Sequence, residues 1–97
     1  MAKKVNWTFR AQQDRLEILE YWANRNKSKV YSAKLYKSIS NHIKLIAQAP
    51  EIGKPTEFPE VRFIIVIDYL IYYSNHADNI TILTIWDSRR NPAKLKL

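Results

Sequence analysis

The residues with chemistry to offer lie at the end of the chain. Asp87-Ser88-Arg89-Arg90 closes a run of β-branched and aromatic residues, and the stretch from Asp87 to Leu97 carries four positive charges, Arg89, Arg90, Lys94 and Lys96, against one acid. A guanidinium grips a phosphate or a carboxylate at two points and keeps its charge. Metal-free RNA cleavage needs a base for the 2′-hydroxyl proton, an acid for the leaving oxygen and cations to offset charge on the phosphorane. Arg62, Arg89 and Arg90 are candidates for the cations, and Asp87 or His76 for the base. Asp87 equally suits an ion pair that fixes Arg89 or Arg90, and His76 sits in a turn, where the ordinary state is exposure to water. Tyr72 and Tyr73 are adjacent in a strand and so point to opposite faces, one to the core and the other offering a hydroxyl or a ring. Trp86 has a stacking face, although a Trp at a strand end more often packs against a helix. Without catalysis, the same Arg89, Arg90, Lys94 and Lys96, with Trp86 and Tyr72, make a docking surface for a nucleic acid or another target. A frayed basic tail is the common alternative at a terminus. Here the arginines follow an apolar strand at once, which anchors their backbone.

Composition bounds the rest. Residues 1–97 are one domain by length, and at 46% hydrophobic the chain can bury a single core. There is no cysteine, so disulfides, thiolate metal sites and thiol nucleophiles are excluded. No cluster of His with carboxylates has metal-ligand spacing, and the single glycine, Gly53, rules out a glycine-rich phosphate loop. No metal and no cofactor are expected. The N-terminus has no continuous apolar stretch like that of a signal peptide, and no apolar run is long enough to span a bilayer, so the expectation is a cytoplasmic protein without a membrane partner. A net charge of +7 on so short a chain favours encounter with phosphates or with an acidic partner.

The elements that must position these residues are legible from periodicity. Val5, Trp7 and Phe9 alternate with Asn6 and Thr8, which predicts a first strand at the edge of the later ones. Between Ala11 and Asn24, Leu16, Ile18, Leu19, Trp22 and Ala23 share one arc of a helix, with Asp14, Glu17 and Glu20 mostly opposite. Ser28 is a candidate N-cap for a second helix from about Lys29 to about Ala49. Its stripe of Tyr31, Leu35, Ile39, Ile43 and Ile46 has spacings of four, four, four and three. His42, beside that stripe, reads as a packed or surface residue. Pro50 stops the helix. Pro50 to Glu60 is a crossing loop stiffened by proline, with a positive φ expected at Gly53. Three strand-length runs follow, Val61 to Val66, Tyr69 to Tyr73 and Ile80 to Trp86, with Asp68 and Asn75 to Asn79 as turns. The prediction is an α+β fold: an N-terminal strand, then a two-helix hairpin packed on a twisted, mainly antiparallel four-stranded sheet.

Four features in this order resemble the RelE/ParE superfamily of bacterial type II toxin-antitoxin toxins, and ParE more than RelE. They are Trp7-Thr8 before a helix with Asp14-Arg15-Leu16-Glu17-Ile18; a helix ending in Ala49-Pro50-Glu51-Ile52-Gly53; Val61-Arg62 opening a strand; and Tyr69-Leu70-Ile71-Tyr72-Tyr73, then Ile80-Thr81-Ile82-Leu83-Thr84-Ile85 and the arginine pair. The resemblance covers nearly the whole chain. It implies growth inhibition, plasmid stabilization and a cognate acidic antitoxin that wraps the toxin in a hetero-oligomer. It leaves two mechanisms: ParE-like inhibition of DNA gyrase, or RelE-like metal-independent endoribonuclease action on mRNA in the ribosome. RelE-like cutters carry an arginine where this chain has Leu70 and a tyrosine where it has Leu95, while Arg89 matches their arginine after the last strand. Their lysines near the start of the second strand are represented at best by Arg62. YoeB-like toxins use a terminal His-Tyr pair, and neither residue occurs here after His76. A non-toxic nucleic-acid-binding module using the same basic end is the third alternative.

Overall fold

The structure, a computed structural model, describes residues 2–97. In chain order it has β1 (Lys4–Trp7), α1 (Phe9–Arg25), α2 (Val30–Gln48), β2 (Lys54–Pro55), β3 (Val61–Val66), β4 (Tyr69–Asn75) and β5 (Asn79–Asp87), with single 3-10 turns at Pro50–Ile52 and Pro92–Lys94. The strands form one sheet in the order β1-β5-β4-β3-β2, with β1 parallel to β5 and every other pair antiparallel. The α+β class and the helical hairpin on a mainly antiparallel sheet agree with the sequence. The strand count is five rather than four, because Lys54–Pro55, inside the expected loop, pairs with Phe63 and Arg62.

Helix α2 follows its stripe: Leu35, Ile39, Ile43 and Ile46 are all buried. Each such side chain removed from water contributes about 1.5–3 kcal/mol. The N-cap of α2 is Lys29, with no side-chain cap bond, and not Ser28 as the sequence suggests; Ser28 stands one residue earlier, where its hydroxyl still accepts from Val30 N–H at 3.2 Å. Helix α1 begins earlier than the apolar pattern indicates. Thr8 is its N-cap, accepting from Ala11 N–H at 3.0 Å, so Phe9 opens the helix and is 77% exposed instead of extending β1. The capping bond satisfies a donor that continued strand would leave to water.

The main core lies between the hairpin and one sheet face, where Ala11, Leu35, Ile39 and Ile46 meet Ile71, Tyr73, Ile80 and Ile82. A smaller cluster of Val61, Tyr72 and Trp86 is joined by Phe63, Leu70, Leu83 and Leu95. Trp86 therefore packs away from the helices, and the terminal segment is fastened through Leu95 instead of fraying. Gly53 is extended, with φ −66°, contrary to the positive φ expected. Its lack of a side chain serves a close approach: an added Cβ would collide with the Tyr73 ring and hydroxyl. That hydroxyl accepts from Gly53 N–H at 3.0 Å and donates to Pro50 O at 2.6 Å. Among the described residues the left-handed ones are Lys27 and Ile67, the latter beside the expected turn residue Asp68.

Candidate functional site

Strand β5 delivers the charged end of the chain. Arg89 Nε donates to Asp87 Oδ1 at 3.0 Å and Nη2 to Asp87 Oδ2 at 2.8 Å, a two-point grip in which Asp87 Oδ1 also accepts Arg89 N–H at 2.9 Å. The guanidinium beside it holds the Asp87 carboxyl below the usual carboxylate range, and Asp87 in turn raises Arg89. Arg89 remains 59% exposed, so it is fixed in direction yet open to a partner. Arg90 lies over the Trp86 ring, 4.1 Å from its centroid, a cation–π contact that restrains a second guanidinium. Trp86 Nε1 is buried without a hydrogen-bond partner among the described residues.

These arginines edge a cleft of about 450 Å³ between α1 and the turn after β5. Asp14, Glu17, Ile18 and Tyr21 line it from α1; Tyr69, Ile85, Asp87, Arg89 and Arg90 line it from the sheet. Trp22 Nε1 donates to the Tyr69 hydroxyl at 2.7 Å, and burial raises the Tyr69 pKa, keeping that hydroxyl protonated. Asp14 is half-buried between the cleft and the sheet: its Oδ2 accepts from Thr84 Oγ1 at 2.5 Å and from Ile85 N–H at 3.2 Å. Sequence reading put Asp14 on the solvent side and missed Glu17, Tyr21 and Tyr69 as lining residues. The one available signal was spacing, since 14, 17, 18 and 21 fall on a single helical face.

Other sequence candidates are elsewhere. Arg62 donates through Nη1 to Gly53 O at 2.8 Å and Glu51 O at 3.2 Å, holding the 3-10 turn against β3. It faces Tyr73 across the β3–β4 ladder, whereas Asp87 faces Tyr69 in the β4–β5 ladder, so the structure does not bring Arg62 to Arg89. His76 bonds Ser74 Oγ at 2.9 Å in the turn before β5. It is roughly 25 Å from Asp87 along a strand rising ~3.3 Å per residue. Tyr72, beside Phe63, lines a separate hollow of about 540 Å³ with Phe58, Leu95 and Lys96. Lys94 and Lys96 are exposed, and Arg10 Nη1 hydrogen-bonds Lys96 O, holding the terminal segment near the start of α1.

Comparison with known families gives a match over residues 5–92 to the ParE toxin of type II toxin-antitoxin system, parDE. The chain belongs to the ParE toxin family. A solved structure described as the chromosomal ParDE toxin-antitoxin system from P. aeruginosa is similar to this ParE-family chain, with a TM-score of 0.75 and 21% identity. That likeness covers 89% of this chain and 96% of that one, and it is a likeness of fold. TrmO from P. aeruginosa is similar at a TM-score of 0.50 and 17% identity, over 88% of this chain and 33% of that chain. No curated protein sequence gives a significant match. Among the described residues of this ParE-family toxin, no group of three or more His, Cys, Asp or Glu is placed to hold a metal, and no helix is long and apolar enough to cross a membrane.

Proposed function

We propose that this ParE-family toxin arrests bacterial growth by binding DNA gyrase, without chemistry of its own, and that a cognate acidic antitoxin neutralises it in a hetero-oligomer in the cytoplasm. The observation carrying this reading is the mixed sign of the cleft at the arginine end. Asp14, Glu17 and Asp87 face it together with Arg89 and Arg90. A ribonucleic acid strand entering there would meet three carboxylates, and like charge at short range opposes a polyanion. A protein surface carrying both signs meets complementary partners instead. Arg89 also reaches Asp87 at two points, so Asp87 is held as an anion whose lowered pKa makes it a weak base. The net charge of +7 supports an acidic antitoxin, because opposite charge speeds encounter and steers orientation.

The test is a supercoiling titration with purified gyrase. Inhibition by the wild-type chain that disappears with Arg89→Ala is the expected result. No inhibition, together with newly mapped message ends in translating ribosomes, would replace this reading with the endoribonuclease. A folded product that leaves growth and gyrase untouched would favour a nucleic-acid-binding module without toxicity.

A further inference from the structure

The β4–β5 ladder slips by one residue. Tyr72 faces Thr84 and Tyr73 faces Ile82, so Leu83 is an extra residue without a partner on β4. A bulge of this kind leaves backbone groups unpaired and bends the strand beyond it. The pairing of β1 with β5 ends at Trp7 and Ile82, and Thr8 with the first turns of α1 covers the β5 edge beyond it, the bulge included. The Thr8 hydroxyl donates to Leu83 O at 2.9 Å while accepting from Ala11 N–H, and Thr8 N–H donates to Ile82 O at 3.0 Å. One turn and a half further on, Asp14 Oδ2 accepts from Thr84 Oγ1 and from Ile85 N–H. Four consecutive residues of β5, Ile82 to Ile85, are thus each tied to α1 or to its N-cap Thr8, and the strand runs from there through Trp86 to Asp87 and the arginines.

We propose that Thr8 and Asp14 are positioning residues: they hold the β5 bulge and so set the direction in which Arg89 and Arg90 leave the sheet. The physical reason is leverage. An unpartnered carbonyl or amide at a bulge invites the strand to rejoin the regular ladder, and a slip of one residue would turn every later side chain to the opposite face. Arg89 would then leave the cleft, and Trp86 would leave the cluster beneath Arg90. The Thr84 hydroxyl belongs to the same device, since Thr84 is only 1% exposed and Asp14 is its partner. The inference rests on the reading of Arg89 as a target contact, although the positioning itself does not.

The experiment uses the full chain, labelled with ¹⁵N, in the wild-type, Asp14→Ala, Thr84→Val and Thr84→Ser forms and as the Asp14→Ala/Thr84→Val double variant. Thr84→Val keeps the buried shape and removes only the donor, at a position no target can touch, so it separates positioning from direct contact by Asp14. Two quantities are read for each folded variant: the residual dipolar couplings of the Arg89 and Arg90 backbone N–H groups, which report the direction in which they leave the sheet, and the dose that halves gyrase supercoiling. Asp14→Ala and Thr84→Val should each shift those couplings and raise the dose roughly tenfold, while Thr84→Ser stays near wild type and the Asp14/Thr84 double variant is no worse than the worse single one. Folded variants with wild-type couplings at Arg89 and Arg90 would overturn the assignment. So would a higher dose for Asp14→Ala alone with Arg89 unmoved, which would make Asp14 a contact residue. If the wild-type chain leaves gyrase untouched, the functional reading is lost, and the coupling measurement still decides the positioning role.

Discussion

Arg89 is bound by Asp87 at two points along one edge of its guanidinium plane, Nε at 3.0 Å and Nη2 at 2.8 Å, from a residue only two positions earlier in the chain. The pairing is local, exposed on the arginine side and aimed along the cleft beside α1. It makes Arg89 a directed charge on a rigid strand end instead of a mobile one, and that lowers the ordering cost a partner must meet on binding.

Removing the directed charge should remove function and leave the fold. Arg89→Ala is expected to abolish growth arrest on induction, with a circular dichroism spectrum and melting point close to wild type. Arg89→Lys should recover only part of the toxicity, because an ammonium cannot reproduce the two-point grip on Asp87. Full toxicity of a folded Arg89→Ala chain would exclude Arg89 from the site.

Asp87 should leave a mark on acid stability. Its carboxyl is depressed in the folded state, first of all by the hydrogen bond from the Arg89 side chain. Its stabilising contribution is therefore complete above the unfolded carboxyl value of ~3.9 and is lost as pH falls through the lower folded value. Unfolding curves of wild type and Asp87→Asn should diverge above about pH 4 and converge in stronger acid. An NMR titration of the Asp87 carboxyl carbon gives the folded value directly.

Gly53 and Tyr73 should prove coupled. Tyr73→Phe deletes the hydroxyl that serves Gly53 N–H and Pro50 O, and an unsatisfied buried group costs about 1–3 kcal/mol. Gly53→Ala forces a methyl into the Tyr73 ring and hydroxyl, with an overpacking cost of about 1–3 kcal/mol. Because the hydroxyl is the nearest obstacle, the double variant should lose less than the sum of the two single losses. Urea unfolding of all four proteins measures the difference, and simple additivity would show that the close approach is not what requires glycine.

The terminal lysines should act on association and little on folding. Lys94 and Lys96 are both exposed, so Lys94→Glu with Lys96→Glu is expected to change stability by no more than about 0.5 kcal/mol per site. Binding to gyrase should slow, and the difference from wild type should shrink as salt is raised. Association rates across a salt series, read by surface plasmon resonance, provide the check.

The chain's local rules were decided by the sequence. The 4-4-4-3 stripe from Tyr31 to Ile46 specified α2, because each of those residues meets its neighbours on one helical face wherever the helix docks. Pro50 ended it by chemistry internal to the residue, and β-branched runs split by Asp68 and by Asn75 to Asn79 specified the meander. Arg89 and Arg90 were legible as a site for the same reason: their charge and their nearness to a strand end are both local. Tertiary structure alone decided what depended on atoms distant in sequence. Gly53 is required by the Tyr73 ring twenty residues on, not by its own φ. Arg62 faces carbonyls that only the pairing of β2 with β3 brings within reach. Asp14 looked like one more solvated acid on a helix until a bulge 70 residues later presented Thr84 Oγ1 and Ile85 N–H to it. Periodicity reports which side of an element is apolar, but a polar side chain's partner is fixed only when the sheet has closed and its unpaired groups have a location.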